Sequence, residues 1–424
     1  MPKGRYGKNL ATLMSGTALA QLIPLAVIPV LTRIYTPQEF GAFALYVAVV
    51  SVFSIIVTGR YELAIMVPES DDEALLILVL AVLLSFILSL LLFLVVVVGL
   101  LVARTLGHPG VGIAWLYIVP LSTFAIGCYQ SLNYWSNRQS FYKGMAASRV
   151  IQSGSAGFAQ LTMGFLKLGV VGLVVGQLVG QCVAATYLAR KLILSENKHL
   201  KNVDFRQVRY VGTKYINFPK YLTFSHCVNR GSTHAPVVLL NSFFTTALAG
   251  LYMLTDKVLM APIGLVATAV GDVFRQEASV VYAKENQCKR VYIKTFFRLV
   301  LISIIPFTVF FFVAEELFSF VFGHEWAGSG AVAKILTPMF FFRFVAGPLT
   351  FMFMISEAQR IDLIWQLCLM LLVVASFFVG SYFEDYHLSL MLFSASYSLM
   401  YAISLILSYR LASGKNVILN NVKG

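Results

Sequence analysis

The stretch ALLILVLAVLLSFILSLLLFLVVVVGLLVA, residues 74–103, decides the fold. Its 30 residues lie between Glu73 and Arg104 without a formal charge, and the 33 between Arg104 and Arg138 carry none either. A helix needs ~20 apolar residues to cross a bilayer core, so either run suffices. The rest of the chain agrees. Of 424 residues 58% are hydrophobic and 12% charged, about half the charged share of a soluble domain. These figures exclude a soluble multi-domain enzyme, a disordered chain and a disulfide-stapled secreted domain. The sequence is that of an all-α, polytopic membrane protein.

Working outward from residues 74–103, charged or Gly/Pro-rich breaks divide the chain into twelve apolar segments. They cover 9–32, 40–66, 74–103, 112–136, 143–166, 169–189, 215–240, 247–271, 292–313, 335–356, 362–382 and 388–409. Ala18-Leu19-Ala20 has the look of a signal-peptidase site behind Lys3, Arg5 and Lys8, but the apolar run continues through Leu31. It reads as an uncleaved first helix. With the N-terminus in the cytoplasm, most bases fall on that side. They are Lys3, Arg5, Lys8, Arg60, Arg138, Lys143, those of 190–220 and 272–298, and Arg360, Arg410, Lys415 and Lys423. The opposite side keeps Arg33, Arg104, Lys167 and Lys334. That asymmetry follows the positive-inside rule and predicts both termini in the cytoplasm. It also accounts for the net charge of +13 without a nucleic-acid partner.

The richest basic segment lies near mid-chain. It predicts a first lobe of helices 1–6 over 1–194, a cytoplasmic linker over 195–214, and a second lobe of helices 7–12 plus tail over 215–424. The halves echo each other weakly, in Pro29-Val30-Leu31 and Phe40-Gly41-Ala42-Phe43 against Pro236-Val237-Val238-Leu239 and Ala249-Gly250-Leu251-Tyr252. A transporter built of two repeated bundles has this organisation. Residues 315–334, with Glu315-Glu316-Leu317-Phe318, read as a short amphipathic element at the outer interface.

Once the bases assigned to either face are set aside, four remain, Arg149, Arg230, Lys257 and Arg343, accompanied by the acid Asp256. An ionisable group near the bilayer centre costs at least ~2.5 kcal/mol, so it faces protein or water and marks function by default. An even set of buried ion pairs would need as many acids as bases; four against one points to a wet, cationic cavity that takes an anion. Each residue also has a plainer reading. Arg149 is near enough to a span end to snorkel. Arg230, with His226 and His234 four residues either side on one face, is too deep for that, but Asp256 could neutralise it across helices. Arg343 sits among Phe340, Phe341, Phe342 and Phe344, where cation–π packing could hold it. Gln130, Asn133, Tyr134 and Asn137 form a polar stripe, as do Gln177 and Gln181, lining water or joining helices.

No HExxH, GxSxG or phosphate-cradling glycine loop occurs, so no catalytic, metal or cofactor site is expected. Cys128, Cys182, Cys227, Cys288 and Cys368 form no CxxC pair and read as small hydrophobes. Asp71-Asp72 follow Ser70 at a helix start, where acids complement the N-terminal dipole rather than bind metal.

The first hairpin carries a resemblance. It reads Leu31-Thr32-Arg33-Ile34-Tyr35-Thr36-Pro37-Gln38-Glu39-Phe40-Gly41 and continues into Gly59-Arg60-Tyr61-Glu62-Leu63-Ala64. With Asp256-Lys257-Val258-Leu259-Met260-Ala261-Pro262, it is similar to the Wzx-type polysaccharide flippases of the multidrug/oligosaccharidyl-lipid/polysaccharide exporter superfamily. The resemblance implies twelve transmembrane helices in two six-helix lobes forming a V, working by alternating access in the cell inner membrane. It implies a polyprenyl-diphosphate-linked oligosaccharide as substrate, such as an O-antigen or exopolysaccharide repeat unit. Guanidinium and ammonium groups would hold that diphosphate. The implied cationic cavity is Arg230, Lys257, Arg149, Arg343 and Arg33, with Asp256 as the candidate for coupling to a proton or monovalent cation. A multidrug exporter of the same superfamily and a membrane polymerase or glycosyltransferase are the alternatives. The first would favour intramembrane acids, and the second a larger outer domain with catalytic carboxylates.

Overall fold

The computed structural model describes residues 3–106, 114–201 and 204–414. Lys415 and Lys423 lie outside the described residues, as do the side chains of Lys3, Arg5, Lys8, Lys198 and Lys201. Among the described residues there is no strand. The helices are α1 (Lys3–Ile34), α2 (Pro37–Thr58), α3 (Tyr61–Ala64), α4 (Asp71–Thr105), α5 (Val119–Arg138), α6 (Tyr142–Phe165), α7 (Val170–Lys201) and α8 (Phe205–Lys214). They continue as α9 (Phe224–Phe243), α10 (Thr246–Glu285), α11 (Lys289–Phe322), α12 (Ala327–Ala346), α13 (Phe351–Ile355), α14 (Gln359–Tyr382) and α15 (Tyr386–Ala412). Among the described residues twelve of these are 20 residues or longer, which matches the twelve apolar segments. Among the described residues nine stretches are long and apolar enough to cross a membrane on their own, and α5, α6 and α9 are not among them. Those three carry the amide stripe, Arg149 and Arg230.

Local chemistry sets the helix ends. Thr36 caps α2 through the Glu39 N–H, and the Glu39 carboxylate accepts the Thr36 N–H at 2.8 Å, with Pro37 at the first helical position. Ser70 caps α4, and Asp71, Asp72 and Glu73 fill its first turn as the sequence predicts. Thr245 caps α10. Gly41 and Gly250 each lie five residues beyond the capping threonine, which puts the weak sequence echo in structural register.

Two expected loops are helix instead. Residues 272–298 hold only the three-residue turn 286–288, because α10 runs on to Glu285 and α11 starts at Lys289. Residues 315–334 are not a separate interfacial element: α11 continues to Phe322, a single 3-10 turn follows, and α12 begins at Ala327. The reason is local. No glycine or proline occurs between Gly271 and Pro306, or between Pro306 and Gly323, so nothing stops the helices earlier.

The chain divides into two compact units, Met1–His234 and Ala235–Gly424, with α9 beginning in the first and ending in the second. In the first unit α6 lies between α1 and α7, and α5 packs on α4 and α7. The α6–α7 contact is close because Gly176 and Gly180 bring backbone against backbone. The segment expected as a linker contributes α8, whose apolar Val208 and Val211 are buried while Phe205 and Tyr210 stay exposed. Tyr61 donates to the Gly212 carbonyl at 2.7 Å, and Lys214 pairs with Glu73. In the second unit α12 packs on α10, α11 and α15, and α14 on α15. Its interior is aromatic: Phe318, Trp326, Phe340, Phe377 and Phe393 are fully buried.

Candidate functional site

In the second unit the intramembrane charges form one cluster. Asp256 on α10 lies in the field of Arg343 on α12 and of its neighbour Lys257. Arg343 in turn lies in the field of Tyr252, Tyr397, Tyr401 and Asp256. The titratable groups around it are therefore phenolic rings and a carboxylate, from α10 and α15. Tilted and edge-to-face contacts join the tyrosines: the Tyr397 and Tyr401 rings are 5.9 Å apart, and Phe393 links Tyr252 at 6.2 Å to Tyr397 at 4.9 Å. Asp256, Lys257 and Arg343 are half-buried.

The first unit holds the remaining candidates in separate places. Arg149 on α6 is half-buried and donates to the Thr17 hydroxyl of α1. Arg230 on α9 is exposed, while His226 and His234, one turn to each side, are half-buried within its field. Arg33 is exposed in the last turn of α1. Part of the amide stripe joins helices: Asn133 donates to the Tyr129 hydroxyl, which lies 3.4 Å from the Ser148 hydroxyl of α6. Gln130 Oε1 and Gln181 Oε1 are buried without a hydrogen-bond partner.

Two arginines assigned to cytoplasmic loops do more than mark topology. Arg138 clamps the segment between α3 and α4. Its Nε donates to Asp71 at 2.7 Å, and its terminal nitrogens to the carbonyls of Ile65, Pro68 and Glu69. Arg60 donates to Glu62 Oε1 at 2.9 Å and through its other terminal nitrogen to His226 Nδ1. Glu62 is fully buried beyond the end of α2, and burial pushes its carboxyl above the ordinary range despite the pull of Arg60. The sequence signal for this pair was Gly59-Arg60-Tyr61-Glu62, which served only as a family marker.

All five cysteines are free. No cluster of three or more potential metal ligands occurs among the described residues. A cavity of about 500 Å³ among α4, α5 and α7, lined by residues such as Leu83, Phe124, Cys128 and Cys182, contains none of the charged candidates.

Residues 30–331 match the family model described as polysaccharide biosynthesis protein, which is well over half of the chain. The chain belongs to the polysaccharide biosynthesis protein family. No curated protein matches it. Among solved structures, this family member is similar to an inward-facing multidrug resistance MATE transporter of the MOP superfamily, with a TM-score of 0.69 and 13% identity over 96% of both chains. The outward-facing form of a MATE transporter of that superfamily gives 0.61 at 14% identity, covering 95% of this chain and 93% of the other. A MOP superfamily transporter from Pyrococcus furiosus gives 0.62 at 14% identity, covering 96% and 95%. That protein is described as having a binding pocket of reverse polarity that suggests a different function. At such identities the likeness establishes the fold: this family member has the twelve-helix fold of MOP exporters.

Proposed function

We propose that this protein is a flippase that carries a polyprenyl-diphosphate-linked oligosaccharide, a surface or exopolysaccharide repeat unit, from the cytoplasmic to the outer leaflet by alternating access. One observation carries the reading: bases outnumber acids within the apolar segments, where Arg149, Arg230, Lys257 and Arg343 stand beside the acid Asp256. Each base kept at membrane depth is costly, so an excess is retained where an anion completes the balance. A lipid diphosphate supplies that anion, and fork-shaped guanidinium groups bind its oxygens in pairs. Arg33 supplements the set. Membership of a polysaccharide biosynthesis family with an exporter fold supports the reading.

In this scheme the protein lies in the cytoplasmic membrane with both termini inside, and an ion gradient drives it. Asp256 carries the proton or monovalent cation, because it is an acid flanked by two bases whose pairing its charge state controls. Export of organic cations would call for an acidic cavity. The test is to replace Arg230 or Lys257 with Ala in cells that lack the native protein. Surface glycan assembly should stop while the variant still accumulates in the membrane. Normal glycan output from both variants would overturn the cationic-cavity reading.

A further inference from the structure

Glu62 has only half of its hydrogen-bonding capacity met. Its Oε1 accepts from Arg60, but Oε2 is buried and has no partner. The Thr58 hydroxyl lies beside the carboxyl and acts on it, while also reaching the carbonyls of Ser54 and Ile55. Arg60 Nε and Thr223 Oγ1 are likewise buried and unmatched. Buried carboxylates normally satisfy both oxygens, so an orphaned one calls for a physical reason.

The surroundings supply it. Arg60 bridges two groups that can take protons: the Glu62 carboxylate and the His226 imidazole, whose Nδ1 must be unprotonated to accept from a guanidinium. The bridge is held in an unfavourable backbone. Gly59 and Arg60 both adopt left-handed conformations, with φ of 55° and 58°, which an arginine, unlike a glycine, enters only at a steric cost. From α5, Tyr134 lies in the field of both Glu62 and Arg60. From α9, Cys227 lies in the field of Arg60, and Arg230 acts on His226. The α4 face against this turn is apolar, with Ala74, Leu75, Ile77 and Leu78 packed around Tyr61 and Ile65. Just before His226, residues Phe218–Thr223 form a π-helical turn, a distortion that leaves a helix adjustable at that point. Beyond His226, α9 runs from the first unit into the second.

We propose that Glu62 is a proton-binding site: a proton from the aqueous phase adds to Oε2, the ion pair to Arg60 dissolves, and the foot of α9 at His226 is released. The bond formed is O–H on Glu62, and no covalent bond breaks. The guanidinium keeps its charge and becomes available to an anion. A metal cation does not fit here, because the fixed charge of Arg60 repels it and a single unmatched carboxylate oxygen cannot complete its ligand shell. The site is separate from Asp256, which lies in the other unit.

The experiment is pH-difference infrared spectroscopy of the full-length protein in lipid nanodiscs, read at the carboxylic C=O stretch. It needs no substrate, so its outcome is independent of the flippase reading. The wild type should show a band that titrates above the ordinary glutamate value of ~4.3. Glu62→Gln should abolish it, Asp256→Asn should leave it, and His226→Gln should shift its midpoint. A band that survives unchanged in Glu62→Gln overturns the proposal. If that variant fails to fold, Glu62→Asp serves instead: a moved midpoint supports the site, and an unmoved one overturns it.

Discussion

Replacing Gly180 with Ala tests how closely α6 and α7 are packed. A Cβ built at Gly180 would lie 2.6 Å from the Gln152 carbonyl oxygen and 2.6 Å from Ala156 Cβ, where ordinary contact begins at 3.4 Å. The first obstacle is backbone, so no rotamer change relieves it; the helices must separate by the difference, close to an ångström. Gly176 meets a second backbone obstacle, the Gln160 nitrogen at 2.8 Å. Separation also stretches the 3.1 Å bond from the Gln160 amide to the Leu173 carbonyl. Overpacking costs roughly 1–3 kcal/mol, and the weakened bond roughly 0.5–1.5. Against this, Ala gains about 1 kcal/mol over Gly in a helix. A net loss of about 1–3 kcal/mol follows. The assay is thermal unfolding of detergent-solubilised protein followed by fluorescence-detected gel filtration. Gly154→Ala on α6 is the control, because a Cβ there meets nothing within 4 Å; it should leave the midpoint unchanged or raise it. Equal midpoints for wild type and Gly180→Ala would refute the reasoning.

Three further outcomes are expected. Arg138→Ala should open the segment 65–71 and speed its proteolysis in membranes, and Arg138→Lys should not restore protection, because one ammonium cannot serve three carbonyls and Asp71 together. Arg343→Leu should reduce the yield of folded protein by leaving Asp256 with Lys257 alone to compensate it, and Arg343→Leu combined with Asp256→Asn should restore yield but not glycan output. Hydrogen bonding to Glu73 holds the Lys214 ammonium above the usual lysine range. Its contribution to docking α8 is therefore complete below the ordinary lysine value of ~10.4 and fades only as pH rises through the elevated one. Melting should show no step from Lys214 between neutral pH and that range, with Lys214→Met as the comparison.

The sequence makes the fold legible because membrane helices announce themselves by length. Residues 74–103 need no partner to be recognised, and the Thr36 and Ser70 caps mark their helix starts from sequence alone. Helix ends on the aqueous side were harder to read. Charges in 272–298 look like a loop, yet a charged helix extending into water costs nothing, and without glycine or proline it continues. The site was half legible. Rarity at membrane depth singles out Asp256, Lys257 and Arg343, but their tyrosine surroundings come from α15, more than 50 residues further along the chain. The Arg60–His226 contact spans 166 positions, and no local pattern encodes it. Glu62 was hidden for a different reason: its neighbours in sequence look like an ordinary charged turn.

The shortfall of α5, α6 and α9 in hydropathy bears on how the chain enters the bilayer during synthesis. A segment holding Arg149 or Arg230 would partition poorly by itself, since each base at mid-helix costs ~2.5 kcal/mol or more on insertion scales. Each weak segment has a strong neighbour: α5 and α6 lie between α4 and α7, and α9 precedes α10. The weak helices then enter as hairpins with those neighbours, and α5 and α6 commit only when α7 arrives. Shortening the apolar length of α4 or α7 would thus misplace helices other than the one altered, and the polar residues of α6 and α9 make their insertion a collective event.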